Sequence, residues 1–317
     1  MIYLRETGEI SNAGDFGGSY TGFLYTTLIG RMLLKVIASK FFSNVAARYY
    51  RSKFSVKRIR EAEQAYGIDT SEYARDDFAT FSDFFIRELK DQARPFSKKP
   101  TDFIALADSK LTCKMISDQL ALEVKGGRYS LADITGNAEV AQNYENGVCL
   151  IFRLTMDDYH RYIFPDNGCL LWTNVIEGKL HTIQPIAHQR HKPYISNYRV
   201  VSALATENFG TIIVIEVGAL LAGRVNNHQR AQFQKGDEKG FFELGGSTIL
   251  VLLEPKTLKV DDDIIRYSDE SVEVKVRRGE TIGVRETIGA RETSGVQEAI
   301  GAQETSGIQE ASGTQDA

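Results

Sequence analysis

Apolar residues return at spacings of three to five from Tyr20 to about Tyr66, at Leu24, Leu28, Leu33, Val36, Ile37 and Phe41. That period predicts amphipathic helices. The stretch from Phe78 to Pro95 closes the helical part, and Pro95 and Pro100 prevent a further helix. From Ile104 to about Gly283 the texture changes to short β-rich runs between Gly, Asn and Asp, for example 148–154, 210–217, 248–253 and 272–276. The expected fold class is α+β, with N-terminal amphipathic helices packed on a mainly antiparallel β domain. Three parts are expected: a helical, membrane-associating region over 1–100, a β-rich catalytic domain over 101–283, and a tail over 284–317. In the tail glycine recurs every six residues, at Gly283, Gly289, Gly295, Gly301, Gly307 and Gly313. Those repeats are too polar to cover a core, so a disordered segment is expected.

Charge changes this picture locally rather than globally. The net charge of −4 offers no overall field for nucleic acid, and no nucleic-acid partner is expected. Between Arg31 and Arg60, however, nine Lys or Arg stand without one Asp or Glu. Such a stretch sets apolar side chains into a lipid headgroup boundary while its cations meet anionic lipid; the other reading is a core-facing helix with a solvated basic side. No run reaches the roughly 18 to 20 apolar residues that a spanning helix needs, and Met1 to Ser11 lacks the apolar core of a secretory signal. The protein is expected to lie on the cytoplasmic face of a membrane. Cys113, Cys149 and Cys169 are odd in number and form no CxxC pair, which argues against a disulfide framework or a structural zinc site.

Two segments carry candidate chemistry. The first is Leu244-Gly-Gly-Ser-Thr248, which follows the charged loop Lys235 to Gly240 and leads into a very apolar strand. A Gly-Gly-Ser turn is ordinarily a glycine-permitted tight turn. A serine after glycine in a strained turn has a further option: its hydroxyl attacks the preceding carbonyl, and β-elimination opens the resulting ester to a pyruvoyl group. That ketone forms a Schiff base with an amine and delocalises the carbanion left by departing CO2. The second segment, Arg153 to Gly168, sets His160 among aromatic and acidic neighbours. A histidine beside a tyrosine is often a structural hydrogen-bonder, but a decarboxylated carbanion needs a proton and an imidazole is its usual donor.

The chain resembles the phosphatidylserine decarboxylases over about Tyr20 to Gly283. The matching pieces run in order: Leu24, Tyr25, Gly30 and Arg31; Phe84-Phe85-Ile-Arg-Glu-Leu-Lys90 with Ala93-Arg-Pro95; and Ala107-Asp-Ser-Lys-Leu111. Asp158-Tyr-His-Arg161, Thr206-Glu-Asn-Phe-Gly210, Glu216-Val-Gly-Ala219 and Lys235 to Thr248 complete the series. The resemblance implies conversion of phosphatidylserine to phosphatidylethanolamine and CO2 by a pyruvoyl group made from Ser247. Cleavage after Gly246 would leave α and β chains from one precursor. Asp108 would then belong to the self-cleavage apparatus and His160 to decarboxylation; no metal is expected.

Two departures bear on the cleavage step. The best-known branch of the family has a second histidine three residues past the first, where this chain has Ile163, and it has Ser-Pro-x-Asp where this chain has Ala105-Leu-Ala-Asp108. Substitute bases are His181, His160 acting twice, or His228, whereas His188 and His191 sit in a polar run that reads as a loop. Asp108 beside Lys110 is also compatible with a structural ion pair. The alternative function is an uncleaved, inactive lipid-binding member of the family. A decarboxylase for another amine is a further alternative, and a serine hydrolase lacks the Gly-x-Ser-x-Gly elbow.

Overall fold

The structure is a computed structural model that describes residues 1–11, 18–119, 121–124, 127–182, 185–188, 191–219, 224–244 and 247–286. Gly246 and the tail from residue 287 lie outside the described residues. The helical period at the N-terminus becomes separate helices, Gly18–Thr26, Leu28–Ile37, Lys40–Tyr50 and Lys57–Tyr66. Hydroxyl residues make two of the breaks, because each caps the next helix. Thr27 accepts from the Gly30 N–H and Ser39 from the Phe42 N–H, satisfying donors that a helix start leaves free. The chain folds back tightly at the first break, where a Cβ on Gly30 would stand 2.1 Å from the Phe23 carbonyl oxygen. Gly67, with φ of 61°, ends the last helix in the left-handed conformation that glycine adopts without strain.

A ten-stranded sheet organises the rest. Across it run Gln232–Phe233, Gly168–Ile176, Arg199–Thr206, Gly210–Val217, Ser247–Leu253, Val148–Leu154, Ser109–Met115, Glu273–Val276, Ile2–Leu4 and Glu9–Ser11. Its pairings are antiparallel except Ile2–Leu4 with Glu273–Val276. The central Ser247–Leu253 strand explains its own composition. Ile249, Val251 and Leu253 join one core cluster while Leu250 and Leu252 join another, so both faces are covered and no polar alternation is needed. Each of those buried side chains contributes roughly 1.5–3 kcal/mol. Ile264 and Tyr267 of the Asp262–Asp269 helix and Phe103, Tyr162 and Phe242 cover the first face, and Ile134, Ala141 and Tyr194 the second.

Three features differ from the sequence expectation. The first residues are not part of a helical region, since Ile2–Leu4 enters the large sheet beside Glu273–Val276. The β part runs through Arg285, because Val284 and Arg285 belong to the Thr281–Arg285 strand. The Phe78 to Pro95 segment holds only the short helix Phe81–Phe85, capped by Thr80, and then bridges Leu89 to Tyr73.

The helices meet the β part at limited points. Phe81, Phe84 and Phe85 pack with Ile59, Ala62 and Leu244, and Tyr25, Leu34 and Ala38 pack with Ala187. The Leu28–Ile37 helix buries Gly30 and Leu34 but leaves Leu28 76% and Met32 72% exposed, with Ile29, Leu33 and Val36 exposed as well. Its apolar side is therefore not turned to the core.

Candidate active site

Backbone register locates the Ser247 position. Ser247 opens its strand opposite Leu154, and the next residue, Thr248, lies between Arg153 on one side and Val217 on the other. The Ser247 side chain lies outside the described residues, as do Gly245 and Gly246. The residues paired with the start of the Ser247–Leu253 strand are described on both flanks.

On one flank the chain continues from Leu154 through Thr155 to His160. Lys110, from the neighbouring Ser109–Met115 strand, donates to Asp157 at 2.8 Å, to Asp158 at 2.7 Å and to the Thr155 hydroxyl. Burial pushes the Asp158 carboxyl up; at Asp157 burial also pushes up, but the Lys110 charge together with hydrogen bonds from Lys110 and Thr155 holds the carboxyl low. One ammonium thus serves two carboxylates, with the charge drawn to the less buried one. The expected pairing of Lys110 with Asp108 is not formed. In a strand, residues two apart share a face but diverge at its end, and Asp108 has already left the Ser109–Met115 strand.

His160 follows directly. Its Nδ1 is 3.0 Å from the Asp158 carbonyl oxygen, its ring lies 4.0 Å from that of Phe85, and its own carbonyl accepts from the Phe242 N–H at 3.0 Å. Phe242 and Leu244 are on the approach to Ser247, and Leu244 packs with Phe85. The imidazole is fully buried, and its Nε2 has no hydrogen-bond partner among the described residues. Burial, reinforced by the Arg87 charge, drives its pKa down to about 3. A buried, neutral imidazole with one unused nitrogen is a proton acceptor waiting for a donor.

On the other flank Val217 pairs with Thr248, and Gly218 follows it. Asn197 donates to the Gly218 carbonyl at 2.8 Å and to the His181 carbonyl at 2.8 Å, and it accepts from the His181 N–H at 3.0 Å. His181 is buried, stacks on His191 at 4.2 Å and lies 3.4 Å through Nδ1 from the Tyr25 hydroxyl. Burial and the neighbouring His191 lower it to about 4. His160 thus follows the Val148–Leu154 strand on one side of Ser247–Leu253, and His181 is tied through Asn197 to Gly218, which follows the Gly210–Val217 strand on the other.

Asp108 is held apart from both. Its Oδ2 accepts from Arg94 at 3.2 Å and its Oδ1 from the Arg278 N–H at 2.7 Å. Among the described residues no imidazole bonds to it. Ile163 is buried, and its N–H donates to the Leu106 carbonyl at 3.0 Å. His228 is at the surface, with Nε2 2.7 Å from Glu238.

Sequence reasoning missed several residues here. His188 is not in a polar loop but fully buried, with Nδ1 2.7 Å from the Tyr129 hydroxyl. Glu216 and Lys239 form a buried ion pair at 2.5 Å that joins the strand before the Gly-Gly-Ser turn to the one paired with Ile249 after it. Removing one partner of such a pair costs about 3–5 kcal/mol, because the other charge is left unpaired. Arg87 stands in the Phe84 to Lys90 run, with no separate signal in the sequence.

Comparison with known proteins adds to this geometry. A family model described as phosphatidylserine decarboxylase matches residues 81–284. The chain is 44% identical over 283 residues to phosphatidylserine decarboxylase proenzyme 2 of Clostridium acetobutylicum, covering 89% of this chain and 97% of that protein. It is 38% identical over 291 residues to a phosphatidylserine decarboxylase proenzyme of Clostridium botulinum, covering 90% of this chain and 99% of that one. A proenzyme of the same name from Ruminiclostridium cellulolyticum is 36% identical over 290 residues, with 89% and 97% covered.

Proposed function

Because the chain belongs to the phosphatidylserine decarboxylase family, we propose that it converts phosphatidylserine to phosphatidylethanolamine and CO2 with an electrophile made from its own Ser247. The observation that carries this reading is the buried His160, whose Nε2 is unpartnered among the described residues and whose carbonyl accepts from Phe242 in the strand before Gly-Gly-Ser. Such a nitrogen suits a site where a proton must first leave a serine hydroxyl and later be moved on a substrate. In self-cleavage His160 Nε2 takes the Ser247 hydroxyl proton while that oxygen attacks the Gly246 carbonyl. β-Elimination then opens the ester, leaving the first fragment as a carboxylate, and water hydrolyses the resulting imine with loss of the Ser247 nitrogen as ammonia, so that the pyruvoyl group supplies a ketone able to draw electrons from the bond to CO2. In turnover His160 Nε2 accepts a proton shed by the substrate amine and returns it to the carbon that CO2 leaves.

The remaining residues serve that centre. Lys110, with Asp157 and Asp158, pins the loop that carries His160. Asp108, tied to Arg94 and the Arg278 N–H, fixes the segment beside Ile163 rather than backing an imidazole. His181, bonded through Asn197 to Gly218, steadies the opposite flank and links it to Tyr25 on the first helix. We assign the chemistry to residues 101–283 and membrane contact to the helices before residue 100.

Supporting a lipid surface, the exposed Leu28, Ile29, Met32 and Val36 lie on the same helix as Arg31 and Lys35. No helix among the described residues is long and apolar enough to cross a membrane. We place the protein on the cytoplasmic, anionic face, with its apolar side chains in the headgroup boundary. Vesicles containing phosphatidylserine should bind it at low salt and lose at least about tenfold in binding at 1 M salt, where the Debye length falls from about 10 to about 3 Å. Replacing Leu28, Met32 and Val36 by serine should weaken binding at either salt. Unchanged binding in that variant removes the assignment of these helices.

The function is tested directly by incubating the purified protein with phosphatidylserine vesicles and following phosphatidylethanolamine and released CO2. Turnover should be blocked by phenylhydrazine, which condenses with a ketone. Turnover that resists the reagent would exclude the Ser247-derived electrophile while leaving the substrate assignment intact.

A further inference from the structure

We propose that Arg87 is a positioning residue that decides which nitrogen of His160 carries the proton. The inference rests on the reading of His160 as the proton-moving group. Its geometric basis is the Asp158 carbonyl oxygen, which accepts from Arg87 Nη2 at 3.2 Å and lies 3.0 Å from His160 Nδ1. A carbonyl has no proton to give, so the hydrogen of that second bond belongs to Nδ1. Nε2 is then the bare lone pair, and it is the nitrogen without a partner.

Arg87 is built for this position and not for an ion pair. It is 2% exposed, its guanidinium carbon lies 4.5 Å from the Tyr73 ring and 4.9 Å from the Phe84 ring, and it donates to the Tyr73 hydroxyl and to three carbonyls. Those carbonyls are Phe84 at 3.2 Å, Asp158 at 3.2 Å and Asp157 at 3.5 Å. Among the described residues no carboxylate stands within ion-pair distance of it. The Asp157 and Asp158 side chains are instead committed to Lys110. The loop is thus gripped twice, through its carboxylates by Lys110 and through its carbonyls by Arg87.

The charged groups that face His160 come from three elements. Arg87 follows the Phe81–Phe85 helix, Lys110 belongs to the Ser109–Met115 strand, and Asp157 and Asp158 lie in the loop before the histidine. Of these charges Arg87 bears most strongly on His160. Its charge disfavours an imidazolium, and its hydrogen bond to the Asp158 carbonyl fixes the tautomer. Phe85, two residues before Arg87, packs on the imidazole, so one short segment sets both ring and proton.

The experiment uses the full-length Ser247→Ala precursor labelled with 15N-histidine, with His160→Gln to assign its signals. Long-range 1H–15N spectra should show His160 neutral from pH 8 to pH 5, protonated on Nδ1 and bare on Nε2. Arg87→Met should give mixed tautomers and a titration about one pH unit or more higher. With Ser247 present, the same variant should self-cleave roughly 10- to 100-fold more slowly. Arg87→Lys, which keeps a charge and a donor, should recover much of both, and it replaces Arg87→Met if circular dichroism shows that variant unfolded. Slower cleavage with an unchanged His160 spectrum would overturn the proposal, because a merely structural role does the same. If the spectrum changes as expected but His160→Gln cleaves at the parental rate with Ser247 present, the positioning by Arg87 stands and the reading of His160 as the base fails.

Discussion

Replacing Ser247 with alanine should leave one chain where the parental protein gives two, residues 1–246 and 247–317, and should reduce decarboxylation to background. The reason is chemical: without the hydroxyl there is no nucleophile for the Gly246 carbonyl and no precursor of the ketone. A denaturing gel with intact mass reads the outcome, and the smaller parental fragment should be blocked to N-terminal sequencing. The two fragments should still migrate as one species under native conditions. The Ser247–Leu253 strand lies between Gly210–Val217 and Val148–Leu154, and Glu273–Val276 lies between Ser109–Met115 and Ile2–Leu4, so the sheet interlocks them. A parental protein that is one intact chain would favour the uncleaved lipid-binding reading. Cleavage of the alanine variant would place the scissile bond elsewhere.

The second large effect is expected at His160. His160→Ala should remain one chain, and fragments made before any loss of the imidazole should depend on it for roughly two to four orders of magnitude in decarboxylation, the span of a general acid or base. His181→Ala should cleave near the parental rate, because its Nδ1 faces Tyr25 and its backbone is committed to Asn197. The pH profile separates the candidates. With its pKa lowered to about 3, His160 is a neutral base throughout the range from pH 8 to pH 5, so cleavage should stay flat there. A fall in rate centred near pH 6.5 would indicate a solvated imidazole instead. The same shift enters stability with a definite sign. The unfolded chain protonates this histidine near pH 6.5 while the folded one resists until about pH 3, so stability is intact above pH 6.5 and is lost as pH falls toward 3. His160→Gln should flatten that acid limb in urea unfolding of the Ser247→Ala precursor.

The amino-acid sequence by itself determined the elements whose cause is local. Period-three-to-five apolar spacing gave the N-terminal helices, and unbroken apolar runs such as 248–253 gave the strands covered on both faces. The Gly-Gly-Ser and Asp-Tyr-His-Arg runs were legible as candidate motifs, since both are contiguous in the chain. What it did not determine were partners separated by long stretches of chain. Lys110 chose Asp157 and Asp158 over the nearer Asp108, because strand register brings Arg153 opposite Lys110 and with it the loop that follows. Asp108, having left that strand, met Arg94 and the Arg278 N–H instead. His188 looked like part of a polar loop, yet it was buried against Tyr129 from a segment nearly sixty residues earlier. The protonation state of His160 was also a tertiary matter. A histidine's charge near neutrality depends on burial and on neighbouring charges, and Phe85, Arg87 and the Asp158 carbonyl converge on this one only when the Phe81–Phe85 helix docks beside the sheet.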